Sequence, residues 1–146
     1  MKKTSVIVAA TILTLSVHAQ KIKDNEVPEL VKEAFKRQYS DVKVSEWEME
    51  KGNYEAEFKK DGSEQSVVID ANGKILETEV EIKIDQLPAK VKDYIFKTYK
   101  NARIREASKI TDSKGTITYE AEINRKDLIF DANGEFIKES AEKEFN

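Results

Sequence analysis

The chain spells one unit twice. "VPELVKEAFKRQYSDVKVSEW", from Val27, aligns with "LPAKVKDYIFKTYKNARIREA", from Leu87. "GNYEAEF" at Gly52 returns as "GTITYEAEI" at Gly115, and "VVIDANGKI" at Val67 returns as "LIFDANGEF" at Leu128. Duplication restricts the fold, because whatever unit one forms, unit two must form as well. The length changes fall between elements. "SKITDSKGTI" lengthens the first hairpin of unit two, and "NRKD" stands where unit one has "KKDGSEQS". Connecting segments tolerate such changes.

Each unit reads as a helix followed by strands. Pro28 and Pro88, the only prolines, suit the first turn of a helix, where no N–H is missed. Val31, Ala34 and Phe35 recur at helical spacing, as do Val91, Tyr94 and Ile95. Tyr39 and Tyr99 close these stripes, and Val27 and Leu87 are placed to staple the helix entry. "YEAEF" and "YEAEI" alternate apolar and acidic residues, which buries one face of a strand and wets the other. All five glycines lie between predicted strands.

In unit one the strands are predicted at Val42–Glu50, Tyr54–Lys59, Gln65–Asp70 and Lys74–Ile82. Val44 and Trp47, three apart, share a face only across a bulge near Ser45–Glu46; Ile104 and Ala107 require another near Arg105–Glu106. The expected fold class is α+β, two tandem helix-plus-four-stranded antiparallel sheet repeats with the helices on one face. Whether the two sheets fuse into one continuous concave sheet is open at this level.

The opening residues are a leader. "MKK" is positive, "TSVIVAATILTLSV" is apolar and "VHA" offers a cleavage site after Ala19. The apolar run falls short of the about 20 residues a membrane-spanning helix needs, and no cysteine follows to carry a lipid. The expected organisation is a cleaved signal peptide at 1–19, repeat one at 20–84 and repeat two at 85–146. The product would be exported, periplasmic or secreted, with no membrane span after cleavage.

Cleavage would remove Lys2, Lys3 and His18. That leaves 23 of the 25 basic residues against 28 acidic ones, a net charge of −5. Such a balance disfavours nucleic acid as a partner. Without histidine or cysteine, the mature chain has no Ser-His or Cys-His nucleophile and no zinc site of the His/Cys kind. It also has no disulfide, so packing must hold it together.

The helix opened by "VP" or "LP" and ended by Tyr, then "W…GNYEAEF" and "VVIDANGKI", resembles the PepSY-like family. The resemblance covers about Glu26 to Lys138. The architecture is similar to that of the β-lactamase inhibitory protein, also a tandem of helix-plus-sheet units. It implies an exported binding or inhibitory module with no catalytic residues and no cofactor. Inhibition of a β-lactamase does not carry over, because the contact aromatics find no counterpart motif here. The family's common "YP" after the helix is "YS" at Tyr39–Ser40 and "YK" at Tyr99–Lys100.

Four features are candidate sites. The repeated Asp-Ala-Asn-Gly offers oxygens from Asp70, Asn72, Asp131 and Asn133, but its glycine falls at position four, where an EF-hand loop needs it at position six. A bulged hairpin corner accounts for all four residues: Asp70 starts it, Ala71 and Asn72 take the type I corners, and Gly73 takes the left-handed position. No metal ligand is therefore assigned.

Glu55, Glu57, Glu120 and Glu122 alternate with buried positions, and Glu46, Glu48, Glu77, Glu79 and Glu81 join them. The helices carry lysines instead, so the two faces differ in sign. An acidic face steers a basic partner; the plainer alternative is a solvated surface. Val68, Leu76, Ile129 and Ile137 are expected on the open face, Val68 beside Leu76 and Ile129 beside Ile137, as an apolar strip rimmed by glutamates. Trp47, the sole tryptophan, suits core filling better than an interface.

The residues point first to a non-enzymatic module that binds a protein or peptide partner through Val68, Leu76, Ile129, Ile137 and those four glutamates. The other reading is a cation- or small-ligand-binding module using the acidic face and the turns.

Overall fold

The computed structural model describes residues 19–141. Apart from Ala19, the expected leader lies outside them. The elements run β1 (Gln20–Ile22), α1 (Glu29–Gln38), β2 (Val44–Glu50), β3 (Asn53–Lys60), β4 (Ser63–Ile69) and β5 (Ile75–Glu81). Then come α2 (Ala89–Thr98), β6 (Ile104–Asp112), β7 (Ile117–Ile123), β8 (Lys126–Asp131) and β9 (Phe136–Ala141).

All strands join one nine-stranded antiparallel sheet in chain order, β1 to β9. Two separate four-stranded sheets are therefore not what forms. The fusion is made by β5, which pairs with β4 in unit one and with β6 of unit two, from Glu77 opposite Asp112 to Glu81 opposite Ser108. What β5 is to unit two, β1 is to unit one. Ile22 aligns with Ile82, and each is followed by a 3-10 turn, Asp24–Glu26 or Ile84–Gln86. Both turns are capped alike: the Lys23 N–H donates to Glu26 Oε2 at 2.8 Å, and the Lys83 N–H to Gln86 Oε1 at 2.8 Å.

The prolines stand just before the helices rather than inside the first turn, with φ of −57° and −51°. Each carbonyl accepts the first helical hydrogen bond, from Val31 and Val91 at 3.0 Å. The predicted stripes are the packed ones. Val31, Ala34 and Phe35 bury against Trp47, Ala56, Phe58, Val67 and Ile69. Val91 and Ile95 bury against Ala107, Ala121, Ile123, Leu128 and Phe130. Trp47 is core, edge-on to Phe35 at 6.0 Å, and Val27 and Leu87 are buried staples.

The sheet register puts both helices on the same side. Phe58 of the first core lies in one cross-strand row with Gln65, Val80, Lys109, Tyr119 and Phe130 of the second core. Both predicted bulges occur, between Val44 and Glu46 and between Ile104 and Glu106. The long hairpin of unit two proves to be mostly strand: β6 runs to Asp112, and the turn is only four residues.

β9 is tied to the helix layer by a polar cluster. The Tyr99 hydroxyl donates to Glu139 Oε2 at 2.8 Å, and Lys126 Nζ donates to Oε1 at 2.6 Å. The Glu139 hydrogen bond pushes the Tyr99 phenol up to about 12, while bonds from Lys126 and Tyr99 hold Glu139 below the ordinary 4.5. The raised phenol adds stability below its unfolded value near 10, and that stability is lost as pH climbs toward 12. The depressed carboxylate adds stability above its unfolded value, lost as pH falls through the lowered one. The melting-temperature gap between wild type and Tyr99→Phe should therefore be flat from about pH 5 to pH 10 and close on both sides. Melts by circular dichroism across pH check this; a gap unchanged at about pH 3 would contradict it.

Candidate functional site

The Asp-Ala-Asn-Gly repeats are hairpin corners. The Gly73 N–H donates to the Asp70 carbonyl at 2.9 Å, and the Asp70 N–H to the Lys74 carbonyl at 2.9 Å. Asp70 Oδ1 accepts the N–H groups of Asn72 and Lys74 at 2.9 and 3.0 Å. Asp131 does the same for Asn133 and Glu135. A third corner went unnoticed in the sequence: Asp112 Oδ1 holds the N–H groups of Lys114 and Thr116, both at 2.8 Å. Those bonds keep the Asp112 carboxyl below its usual range. Asp and Gly recur there as Asp-Ser-Lys-Gly, so the shared chemistry is the turn, with Asp as its internal acceptor.

The corners also explain why glycine is spelled at both. A Cβ on Gly73 would sit 2.8 Å from the Leu30 carbonyl oxygen, and one on Gly134 would sit 3.0 Å from Pro88 Cβ. Each corner thus slides beneath the start of its helix.

Among the described residues, no helix lies over the opposite face of the sheet. Cross-strand pairing sorts it into rows. One row runs Glu46, Glu57, Ser66, Glu79, Ile110 and Thr118. Another runs Lys21, Glu48, Glu55, Val68, Glu77 and Asp112. A third runs Glu81, Ser108, Glu120, Ile129 and Lys138. Glu106, Glu122 and Asp127 form a fourth. The four predicted glutamates Glu55, Glu57, Glu120 and Glu122 all lie here, and all are engaged by neighbours. Arg105 Nη1 stands 3.0 Å from Glu122 Oε1.

The apolar residues behave differently from expectation. Ile69 does face Ile75, and Phe130 faces Phe136, but the neighbour of Val68 is Glu77, and that of Ile129 is Lys138. A bulge at each hairpin shifts the register by one. Leu76 and Ile137 are left as the extra, unpaired residues. Val68 in β4 and Ile129 in β8 are separate apolar points among charges, and none of the four joins either core. The most buried apolar side chain of this face is Ile110, 9% exposed. It was missed because its segment read as loop, although "SKITD" alternates like a strand.

The chemistry available on this face is carboxylate chemistry. Three carboxylates gather at one end: Glu46, Glu48 and Glu57 each bring an oxygen within 4.8 Å of the others. Lys21 Nζ bonds both oxygens of Glu46, at 2.8 and 2.9 Å. Bonding to Glu46 holds the ammonium above its ordinary range. On the helix side, a cavity of about 770 Å³ opens beside Ile22, Phe35, Val42 and Trp47, rimmed by Lys21, Lys32 and Lys36. No described helix is long and apolar enough to cross a membrane.

The beta-lactamase-inhibitor-like, PepSY-like family model matches residues 13–77 and again 70–138. Its two windows overlap at the hairpin that leads into β5. Among curated proteins, none matches the chain. Solved structures share the fold. A candidate periplasmic protein of Bacteroides eggerthii superposes with a TM-score of 0.70 at 15% identity, over 79% of this chain and 88% of that one. A DUF2874 family protein of Bacteroides uniformis gives 0.68 at 19% identity, over 78% and 88%. A BLIP-like protein of Bacteroides fragilis gives 0.63 at 24% identity, over 82% and 89%.

Proposed function

The chain belongs to the PepSY-like family, and from that membership we propose that it is an exported, non-enzymatic binding module. It grips a protein or peptide partner with the sheet face that its helices leave open. The observation that carries this reading is the field of carboxylates spread over that face from β2 to β8, with Val68, Ile110 and Ile129 set among them. Such a surface attracts a basic partner over a distance, and its few apolar points supply close contact.

Export is supported by the leader-like start, "MKK" then an apolar run, and by the periplasmic description of the Bacteroides eggerthii protein. The inhibitor-like mode is supported by the family description and by the BLIP-like protein of Bacteroides fragilis. The absence of histidine after His18 and of any cysteine removes the commonest nucleophile and base pairs.

The test is partner capture from envelope extracts by the chain lacking residues 1–19. A variant with Glu55, Glu57, Glu120 and Glu122 all changed to lysine is run alongside. Wild type should hold its partner at low salt and release it as salt rises, and the variant should lose at least about tenfold in affinity. Circular dichroism confirms that the variant is folded. Equal capture by a folded variant would remove the open face from consideration.

A further inference from the structure

We infer that the cavity between α1 and the β1–β2 end of the sheet binds an amphipathic organic anion, a carboxylate carried on an apolar body. The chain itself makes the opening. β1 is three residues long and pairs with Trp47, Glu48 and Met49, so Val44–Glu46 of β2 have no β1 partner. Beyond Ile22 the chain leaves the sheet for the 3-10 turn at Asp24–Glu26 and the start of α1. The space between measures about 770 Å³, within the roughly 300–1,000 Å³ of small-molecule sites.

The wall is apolar where it meets the first core. Ile22, Val42 and Val44 are half-buried and reach from the cavity to that core, and Phe35 and Trp47 line it from within. The bulge between Val44 and Glu46 lets Val44 share the side of Trp47.

The rim is cationic. α1 sends Lys32 and Lys36 to it, one turn apart, beside Phe35. Lys21, Lys23 and Lys43 stand on the facing segments. Against these are Asp24, Glu29 and Glu46, which leaves an excess of two positive charges in a chain whose net charge is −3. The acids are already engaged. Glu46 holds Lys21 at 2.8 Å, and Glu29 and Asp24 face Lys32 at 3.2 and 3.9 Å. Lys36 and Lys43 make no ion pair with a described residue. Lys32 is the sheltered one, its side chain 22% exposed, with the stem against the wall and the ammonium outward. A carboxylate at this rim is partly screened from water, where its attraction to the lysines is stronger than in open solvent. A bare anion would leave the apolar wall unused, and an uncharged ligand would leave the lysines unused.

The second unit shows that the fold does not require this rim. It keeps Lys83, Lys92 and Arg103, but it has Glu81 where unit one has Lys21, Phe96 where it has Lys36, and Ala107 where it has Trp47. The same helix and strands form there. Lys21, Lys36 and Trp47 are therefore particular to the cavity end of unit one.

Dodecanoate and 4-phenylbutanoate, one aliphatic and one aromatic, are titrated by calorimetry into the chain lacking residues 1–19. At least one should bind saturably, one per chain, below about 1 mM. Binding should also change the emission of Trp47, the sole tryptophan. The trimethylammonium analogue of the probe that binds keeps the apolar body and reverses the charge, so it should bind at least about tenfold more weakly. Lys36 and Lys43 are exposed, so the double variant Lys36→Glu with Lys43→Glu should melt as wild type does and bind the carboxylate at least about tenfold more weakly. No saturable binding of either carboxylate up to about 1 mM overturns the site. So does binding that leaves Trp47 emission unchanged, an ammonium analogue that binds equally well, or a folded double variant that binds as wild type does. Partner capture is read by other residues, on the open face, so neither experiment decides the other.

Discussion

Gly73→Ala should cost about 2–4 kcal/mol of stability, far more than Gly52→Ala at a turn of the same handedness. Both glycines have φ near +80°, at 81° and 80°. Alanine therefore meets the same left-handed penalty at each, about 1–2 kcal/mol. The surroundings differ. Nothing lies within 4 Å of a Cβ on Gly52, whereas a Cβ on Gly73 meets the Leu30 carbonyl oxygen at 2.8 Å. That oxygen belongs to α1 backbone and cannot swing aside like a side-chain tip. The corner must lift from the helix, opening the contact with Ala34 at 3.5 Å. Gly134→Ala should fall between the two, since its closest contacts include Pro88 Cβ and Lys90 Cβ at 3.0 and 3.1 Å. Urea denaturation of the three variants measures the order. If Gly73→Ala and Gly52→Ala lose the same amount, the close approach to α1 is not what holds the glycine.

These corners show why part of the fold was legible in the sequence. Asp, Gly and a two-residue strand period act locally, so the turn, the strand faces and both bulges follow from neighbours a few residues apart. The helix stripes are equally local, with Val31, Ala34 and Phe35 set by helical spacing alone. Sheet fusion is not local. Its cue was "QKI" before the first helix, three residues with no period to read, matched to "VEI" at Val80–Ile82 in β5 and just beyond it. Only the pairing of β5 with β6 reveals that one strand serves both units.

The candidate site divides along the same line. The acidic alternation of Glu55, Glu57, Glu120 and Glu122 placed those residues on the correct face, because strand parity is local. The supposed partners of Val68 and Ile129 were off by one, because a bulge beyond the corner shifts everything after it. Ile110 was hidden by its neighbours Lys109 and Asp112, which gave a strand the look of a loop. Glu48 is paired with Lys21 from a strand 27 residues earlier, a distance at which sequence pattern carries no register.

Phe130→Ala should lower the stability of the whole molecule by about 3–5 kcal/mol, a fall of roughly 10–20 °C in melting temperature. Phe130 is fully buried, edge-on to Tyr94 at 5.6 Å and to Phe136 at 5.8 Å. Removing the ring leaves a cavity that α2 and β8 cannot close without moving together. Phe58, equally buried in unit one, stands 5.2 Å from Phe35 and 4.5 Å from Tyr39, so Phe58→Ala should cost a similar amount. The informative part is how the damage spreads. A chain of two independent repeats would lose one unit and keep the other. Here β5 is hydrogen-bonded to strands of both units, so melting unit two strips β5 of its β6 partner and exposes the edge of unit one. Trp47 belongs only to the first core, which makes its fluorescence a reporter on unit one. In Phe130→Ala, the Trp47 transition should move down with the circular-dichroism transition and coincide with it. A Trp47 transition that stays at the wild-type temperature while half the ellipticity is lost earlier would mean that the shared strand does not couple the two halves.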